Sequence, residues 1–158
     1  MKADKEKTNV MRVLEQKKIA YQSHSYEPDA TMTGLQIAVL LGQEPSHVFK
    51  TLVTVGKPAR YYVFVIPVES ELDLKKAAAA AGEKSVSMIP QKELLPLTGY
   101  IHGGCSPIGM KKHFPTFIHQ SAGELPAMCV SAGKVGFQIE LSPSDLLRAA
   151  DAKLADLV

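Results

Sequence analysis

The sequence predicts an α+β fold, with a mixed, mainly antiparallel sheet surrounded by helices. Three observations predict it. Short strands of period two and helices of period 3.6 are interspersed along the 158 residues without regular βαβ alternation. Two apolar strands flank a turn at 56–60, which reads as a hairpin. Hydrophobic residues make up 46% of the chain and charged residues 22%, an ordinary proportion for a folded domain. The length suits one domain, here taken as residues 1–158.

Residues 9–18 read as a helix with Val10, Val13 and Leu14 on one face. A short strand follows at 21–26. Thr33 and Gln36 make a capping box for a second helix, which Gly42 stops. The stretch 49–55 is a strand, and 61–66 returns as a more fully apolar one. Asp73 caps a helix that runs through Ala81 to Gly82. A strand is expected at 85–88 and a short helix at 90–95, started by Pro90. Strands near 116–118, 128–131 and 137–141 follow. Ser142, Pro143 and Asp145 then open a last helix, with Leu146, Leu147, Ala150 and Leu154 on its buried face.

Composition excludes several classes. Two cysteines, Cys105 and Cys129, make no disulfide framework. The start, MKADKEKTNV, lacks the apolar region of a signal peptide. No apolar run approaches the roughly 20 residues of a membrane span. The expectation is a cytoplasmic protein without membrane contact. Net charge is only +2, less than broad nucleic-acid-coating surfaces carry. Lysines do group at Lys2, Lys5 and Lys7, at Lys17 and Lys18, at Lys75 and Lys76, and at Lys111 and Lys112. These read as solvated faces, with a local phosphate contact left open.

The common catalytic constellations are missing from the sequence. None of His24, His47, His102, His113 and His119 stands in a metal-ligand spacing, and the cysteines are not paired as in zinc sites. No metal or cofactor is expected. There is no Walker loop, dinucleotide fingerprint or nucleophile elbow. Cys105 reads as a small residue in a tight loop rather than as a nucleophile.

Two features remain. Lys50 stands near the start of the 49–55 strand, on one face with Leu52 and Thr54, opposite Phe49, Thr51 and Val53. One of these faces should be core, so Lys50 either snorkels to water or points into a site. The second feature is Gly103-Gly104-Cys105-Ser106-Pro107-Ile108-Gly109. It is either a tight bend or a loop whose backbone N–H groups approach a ligand.

Segments in order along the chain carry a family resemblance: 48–52 (VFKTL), 72–76 (LDLKK), 99–109 with its Gly-rich end, 130–133 (VSAG) and 136–141 (GFQIEL). Together they resemble the YbaK/EbsC family of aminoacyl-tRNA deacylases, which is related to the editing insertion of bacterial prolyl-tRNA synthetases. The resemblance implies a curved, partly barrel-like sheet. It also implies trans-editing: hydrolysis of the ester between a mischarged amino acid and the 3′-terminal adenosine of tRNA, foremost Cys-tRNA(Pro). Ala-tRNA(Pro) or another aminoacyl-tRNA is the rival substrate, and a non-catalytic module that binds an acceptor end or a nucleotide is the rival of another class.

By the same resemblance Lys50 is the catalytic residue. The substrate-binding set is Tyr26, Thr33, Thr51, Gly103, Gly104, Ser106, Pro107, Gly109, Ser131 and Gln138. Thr33 and Gln138 depart from the YbaK pattern, which has an aromatic residue and an aspartate there, and the loop at 27–32 is shorter. Both departures bear on which amino acid is removed. No protein nucleophile is expected. Lys50 would supply positive charge or move a proton, and N–H groups of Gly103 and Gly104 would hold the oxyanion. With a cysteinyl ester, the substrate's own thiol would attack its carbonyl and release a cyclic product. The partner that the resemblance implies, besides the acceptor end of aminoacyl-tRNA, is prolyl-tRNA synthetase.

Overall fold

Each long helix begins at a side chain able to cap it. We describe residues 7–29 and 31–158 of a computed structural model. Lys2, Lys5 and most of the charged start lie outside the described residues, as does Ala30 of the 27–32 loop. Helix α1, Asn9–Gln16, starts at Thr8, whose Oγ1 accepts from the Met11 N–H, and buries Val10, Met11 and Leu14. It ends two residues before the expected boundary, where Lys18 turns to a φ of +60°. Helix α2, Gly34–Leu40, has both hydrogen bonds of the Thr33–Gln36 capping box. Helix α3, Leu74–Ala81, is capped by Asp73, which accepts from the Lys75 and Lys76 N–H groups, and it stops at Gly82.

Helix α4, Leu94–Thr98, corrects the expectation for 90–95. Pro90 precedes a 3-10 turn, Gln91–Glu93, and the α-helix starts only after it. Pro96 sits in the first turn of α4, where its missing N–H leaves no intrahelical bond unmade. Helix α5, Pro143–Ala150, starts as expected at Ser142.

Among the described residues eight strands form two sheets. They are β1 (Gln22–Ser25), β2 (Phe49–Gly56), β3 (Arg60–Pro67), β4 (Ser87–Met88), β5 (Thr116–His119), β6 (Met128–Ser131), β7 (Phe137–Leu141) and β8 (Ala152–Ala155). The five-stranded sheet has the order β4-β2-β3-β5-β8, and the three-stranded one β1-β7-β6. β3–β5 and β5–β8 pair in parallel, and the other ladders are antiparallel. The sheets touch through a parallel bridge between Val48 and Cys129, and they do not close into a barrel.

Strand β8 overturns the reading of Leu154 as part of a helical face. Asp151 takes a φ of +51° and ends α5; the chain then pairs with β5, leaving Leu154 exposed. Local periodicity does not carry a pairing between segments so far apart in sequence.

The hairpin β2–β3 is packed on both faces, not one. Phe49, Val53, Val63 and Val65 join α1, β6 and β7 in the main core. Tyr62, Phe64 and Ile66, with Leu52 against them, face Ala77 and Ala78 of α3 and Leu157. This burial fixes the hairpin register and hence the position of Lys50.

Candidate functional site at the seam of the two sheets

Strand β4 covers only Thr54 and Val55 of β2, so the 49–52 half of β2 has no β4 neighbour. That half faces β6 and β7, and a cavity of about 350 Å³ opens there. One wall is Val48 together with Phe49 to Leu52 of β2, including Lys50 and Thr51. The turn into α2 adds Met32, Thr33, Gly34 and Ile37. Tyr26, Ser131, Phe137 and Gln138 close the side of the small sheet, and His102, Gly103 and Cys105 come from the Gly-rich loop.

Seven residues expected from the sequence therefore meet in one cavity: Lys50, Tyr26, Thr33, Thr51, Gly103, Ser131 and Gln138. Gly104, Ser106, Pro107 and Gly109 do not line it. Gly104 lies against the 131–136 turn, and a Cβ there would meet the Val135 nitrogen at 3.1 Å. Ser106 is fully buried, and its Oγ accepts from the Ile108 N–H. Pro107 and Gly109 face a separate cleft of about 220 Å³ with Lys17, Lys112, His113 and Arg148. Gly109 has a φ of +76°, and a Cβ there would press on the Tyr100 hydroxyl, which donates to the Ile108 carbonyl. Most glycines of the loop thus serve its own packing.

The polar groups of the cavity differ in how far they are committed. The Thr33 hydroxyl accepts the α2 cap bond from the Gln36 N–H, at 3.1 Å. Ser131 Oγ accepts from the Gly133 N–H, also at 3.1 Å. Thr51 Oγ1 is buried without a hydrogen-bond partner. Lys50 is half-buried and makes no ion pair among the described residues. The Gly104 N–H already donates to the Ile101 carbonyl at 2.9 Å, so the expected oxyanion donor at Gly104 is taken. Gly103, with a φ of +89°, has no such bond.

Among the described residues no carboxylate lines the cavity; its ionisable side chains there are Lys50, His102, Tyr26 and Cys105. Burial pushes the Cys105 thiol up to about 12, so it is protonated at neutral pH and a poor nucleophile. His102 and Cys105 went unnominated in sequence, though both adjoin the glycines that drew attention to the loop. Met32, Ile37 and Leu94 carried no signal, since apolar lining looks like core until the fold is known.

Behind the Gln138 wall, the donor atoms of His24, Cys129 and Glu140 lie within 4.8 Å of one another. His24 Nε2 and a Glu140 oxygen are 2.7 Å apart. Burial, helped by Glu140, pushes the Cys129 thiol up to about 12. No helix among the described residues is long and apolar enough to cross a membrane.

A mixed two-sheet fold thus carries at its seam a lysine-bearing cavity without a carboxylate among the described residues. Residues 28–149 match the model of the aminoacyl-tRNA editing domain, and the chain belongs to that family. Among its relatives is a candidate Cys-tRNA(Pro)/Cys-tRNA(Cys) deacylase, EbsC, of Enterococcus faecalis. It is 46% identical over 157 residues, which is 99% of this chain and 96% of that protein. A solved candidate trans-editing enzyme for prolyl tRNA synthetase superposes with a TM-score of 0.82 at 25% identity, covering 96% of this chain and 98% of the other. The crystal structure of hypothetical protein APE2540 has the same fold, with a TM-score of 0.86 at 24% identity over 95% of this chain and 99% of that one.

Proposed function

We propose that this chain is a trans-editing deacylase acting on mischarged aminoacyl-tRNA, foremost Cys-tRNA(Pro), and that Lys50 is its catalytic residue. The observation that carries the reading is the convergence of Lys50, Thr51 and Gly103 on one cavity of about 350 Å³. That volume falls in the range of small-molecule sites and suits an acyl group with its terminal ribose. Family membership and the EbsC relative point to the same ester.

The chemistry needs little help, because the ester is already activated. Attack on the carbonyl carbon moves negative charge to its oxygen. The Lys50 ammonium stabilises that charge as a point charge, and the Gly103 N–H supplies a dipole. Thr51 lines the cavity beside Lys50 and contacts the ester or the ribose. Tyr26, Thr33, Ser131 and Gln138 hold the acyl group and sugar. Gly104 is dropped from the oxyanion site, since its N–H is spent on Ile101. The attacking group is water or, for a cysteinyl ester, the substrate thiol.

Such a site answers a fidelity problem. Cysteine and alanine are no larger than proline, and about 1–3 kcal/mol of discrimination per methylene cannot exclude them from a proline site. The net charge of +2 fits weak intrinsic tRNA affinity, with tRNA identity supplied by prolyl-tRNA synthetase as partner. We place the protein in the cytoplasm on the same ground, because its substrate is there, and read residues 1–158 as one editing domain.

The test is a panel of Cys-, Ala- and Pro-charged tRNA(Pro) with the purified chain and Lys50→Ala. The expected result is fast release of cysteine, slower release of alanine, intact Pro-tRNA(Pro) and loss of activity in the variant. No release from any mischarged species, with saturable binding of a non-hydrolysable aminoacyl-adenosine analogue, would make it a binding module instead.

A further inference from the structure

Gln138 does not stand alone in the cavity wall. Its carboxamide and that of Gln43 form a reciprocal pair: Gln43 Nε2 donates to Gln138 Oε1 at 2.7 Å, and Gln138 Nε2 donates to Gln43 Oε1 at 3.2 Å. The second N–H of Gln43 points at Cys129 Sγ, 3.7 Å away. Gln43 itself is pinned at the end of α2, after Gly42, by its own N–H donating to the Ala38 carbonyl at 2.8 Å. One side chain thus ties the α2 wall of the cavity to the β7 wall.

The pair decides what the wall offers a ligand. A carboxamide has two N–H donors and two acceptor lone pairs. The reciprocal bonds use one of each on Gln138, leaving one neutral donor and one neutral acceptor. Gln138 is only 5% exposed, so an amide freed from its partner there would be left unsatisfied. The charged or titratable groups facing the cavity are Lys50 from β2, His102 and Cys105 from the Gly-rich loop, and Tyr26 beyond β1. The carboxylate of Glu140, two residues along the same face of β7, is held by His24 and does not line the cavity. Among the described residues a substrate cation therefore meets Lys50 and no counter-charge.

We infer that this cavity takes aminoacyl esters with the α-amine uncharged, and that Gln43 is a positioning residue that holds Gln138 as the neutral acyl-binding group. The inference rests on the deacylase reading and narrows its substrate to the free-base form, with a small, uncharged side chain. An α-amine titrates near neutrality, at about 7.7–8.0 for a chain terminus, and an ester lowers that value by induction. The fraction of competent substrate therefore rises between pH 6 and 8.5.

The experiment compares alanyl-tRNA(Pro) with lactyl-tRNA(Pro), in which a hydroxyl replaces the amine at nearly the same size and never carries charge. Values of kcat/KM are measured from pH 6 to 8.5, each divided by the uncatalysed hydrolysis rate in the same buffer. Protein titrations that act on the common ester chemistry cancel in the ratio, and repeating the comparison with His102→Gln separates a charge on that ring from the charge on the amine. The lactyl-to-alanyl ratio is expected to fall about tenfold from pH 6 to 8.5 as the amine loses its proton. Gln138→Glu, which adds the missing carboxylate, should reverse the preference at pH 6. Gln43→Ala should raise KM for both esters about tenfold with kcat within about threefold, the scale of one lost hydrogen bond. Gln43→Glu keeps the side-chain shape and one bond; it should move the pH-6 ratio toward the alanyl ester.

A ratio that is flat with pH, or a Gln43→Glu enzyme with an unchanged KM and ratio, would overturn the inference while leaving the deacylase reading intact. Hydrolysis of neither ester, nor of the cysteinyl one, by the unaltered chain would remove both readings.

Discussion

Lys50 stands directly across the β2–β3 ladder from Ile66, a half-buried cation opposite a fully buried aliphatic side chain. The pairing holds the lysine stem on the face that carries Leu52 and Phe64, while the residue lines the cavity. Because the stem is the part that packs, Lys50→Met should leave the melting temperature nearly unchanged. It should lower kcat by about 10²–10³, the cost of losing one group that stabilises an oxyanion. Steady-state deacylation and a thermal melt on the same preparation separate the two effects.

Gly104 presses on the backbone of the 131–136 turn, and its N–H is already bonded. Gly104→Ala should therefore act on stability, by about 1–3 kcal/mol from overpacking. At a temperature where the variant is folded, kcat should stay within a few-fold. A hundredfold loss of kcat in fully folded protein would restore Gly104 as an oxyanion donor.

Cys105 lines the cavity with a thiol raised to about 12 by burial. Cys105→Ser should retain most deacylase activity on an alanyl ester, and the native thiol should alkylate slowly at pH 8. Trapping of an acyl-thioester on Cys105 during turnover would contradict the mechanism.

His119 ties down the end of the chain, since its Nδ1 accepts from the Leu157 N–H at 3.1 Å and Leu157 is fully buried. Burial lowers His119 from its ordinary 6.5, against a smaller opposing pull from Asp156. The folded chain therefore resists its protonation. Stability is full above about pH 6.5 and falls as the pH drops below it, because the unfolded chain takes up a proton that the folded one resists. Urea midpoints measured from pH 7.5 to 5.5 should decline, and His119→Asn should flatten that decline.

Local signals in the sequence reached far into this fold. Thr8 aside, the caps at Thr33, Asp73 and Ser142 and the hairpin around 56–60 were legible because each depends on neighbours within a few residues. Lys50 and the Gly-rich loop were marked as unusual by the same local logic, and their family pattern pointed to an editing site. The end of the chain was misread for the opposite reason. Ala152–Ala155 becomes a strand only because β5 offers it an edge, and Leu154 has no local feature that says so.

What the sequence by itself determined is most of the elements, β8 excepted, together with the family and the residue types available for chemistry. Caps, turns and periodicity are short-range, so they survive without the fold. The tertiary structure alone decided which residues share the cavity. Tyr26, Thr33, Lys50, Gly103, Ser131 and Gln138 come from distant segments that meet where the two sheets touch. It also spent the Gly104 N–H on Ile101 and joined Gln43 to Gln138. Hydrogen-bond capacity is finite and is allotted only once partners are within reach.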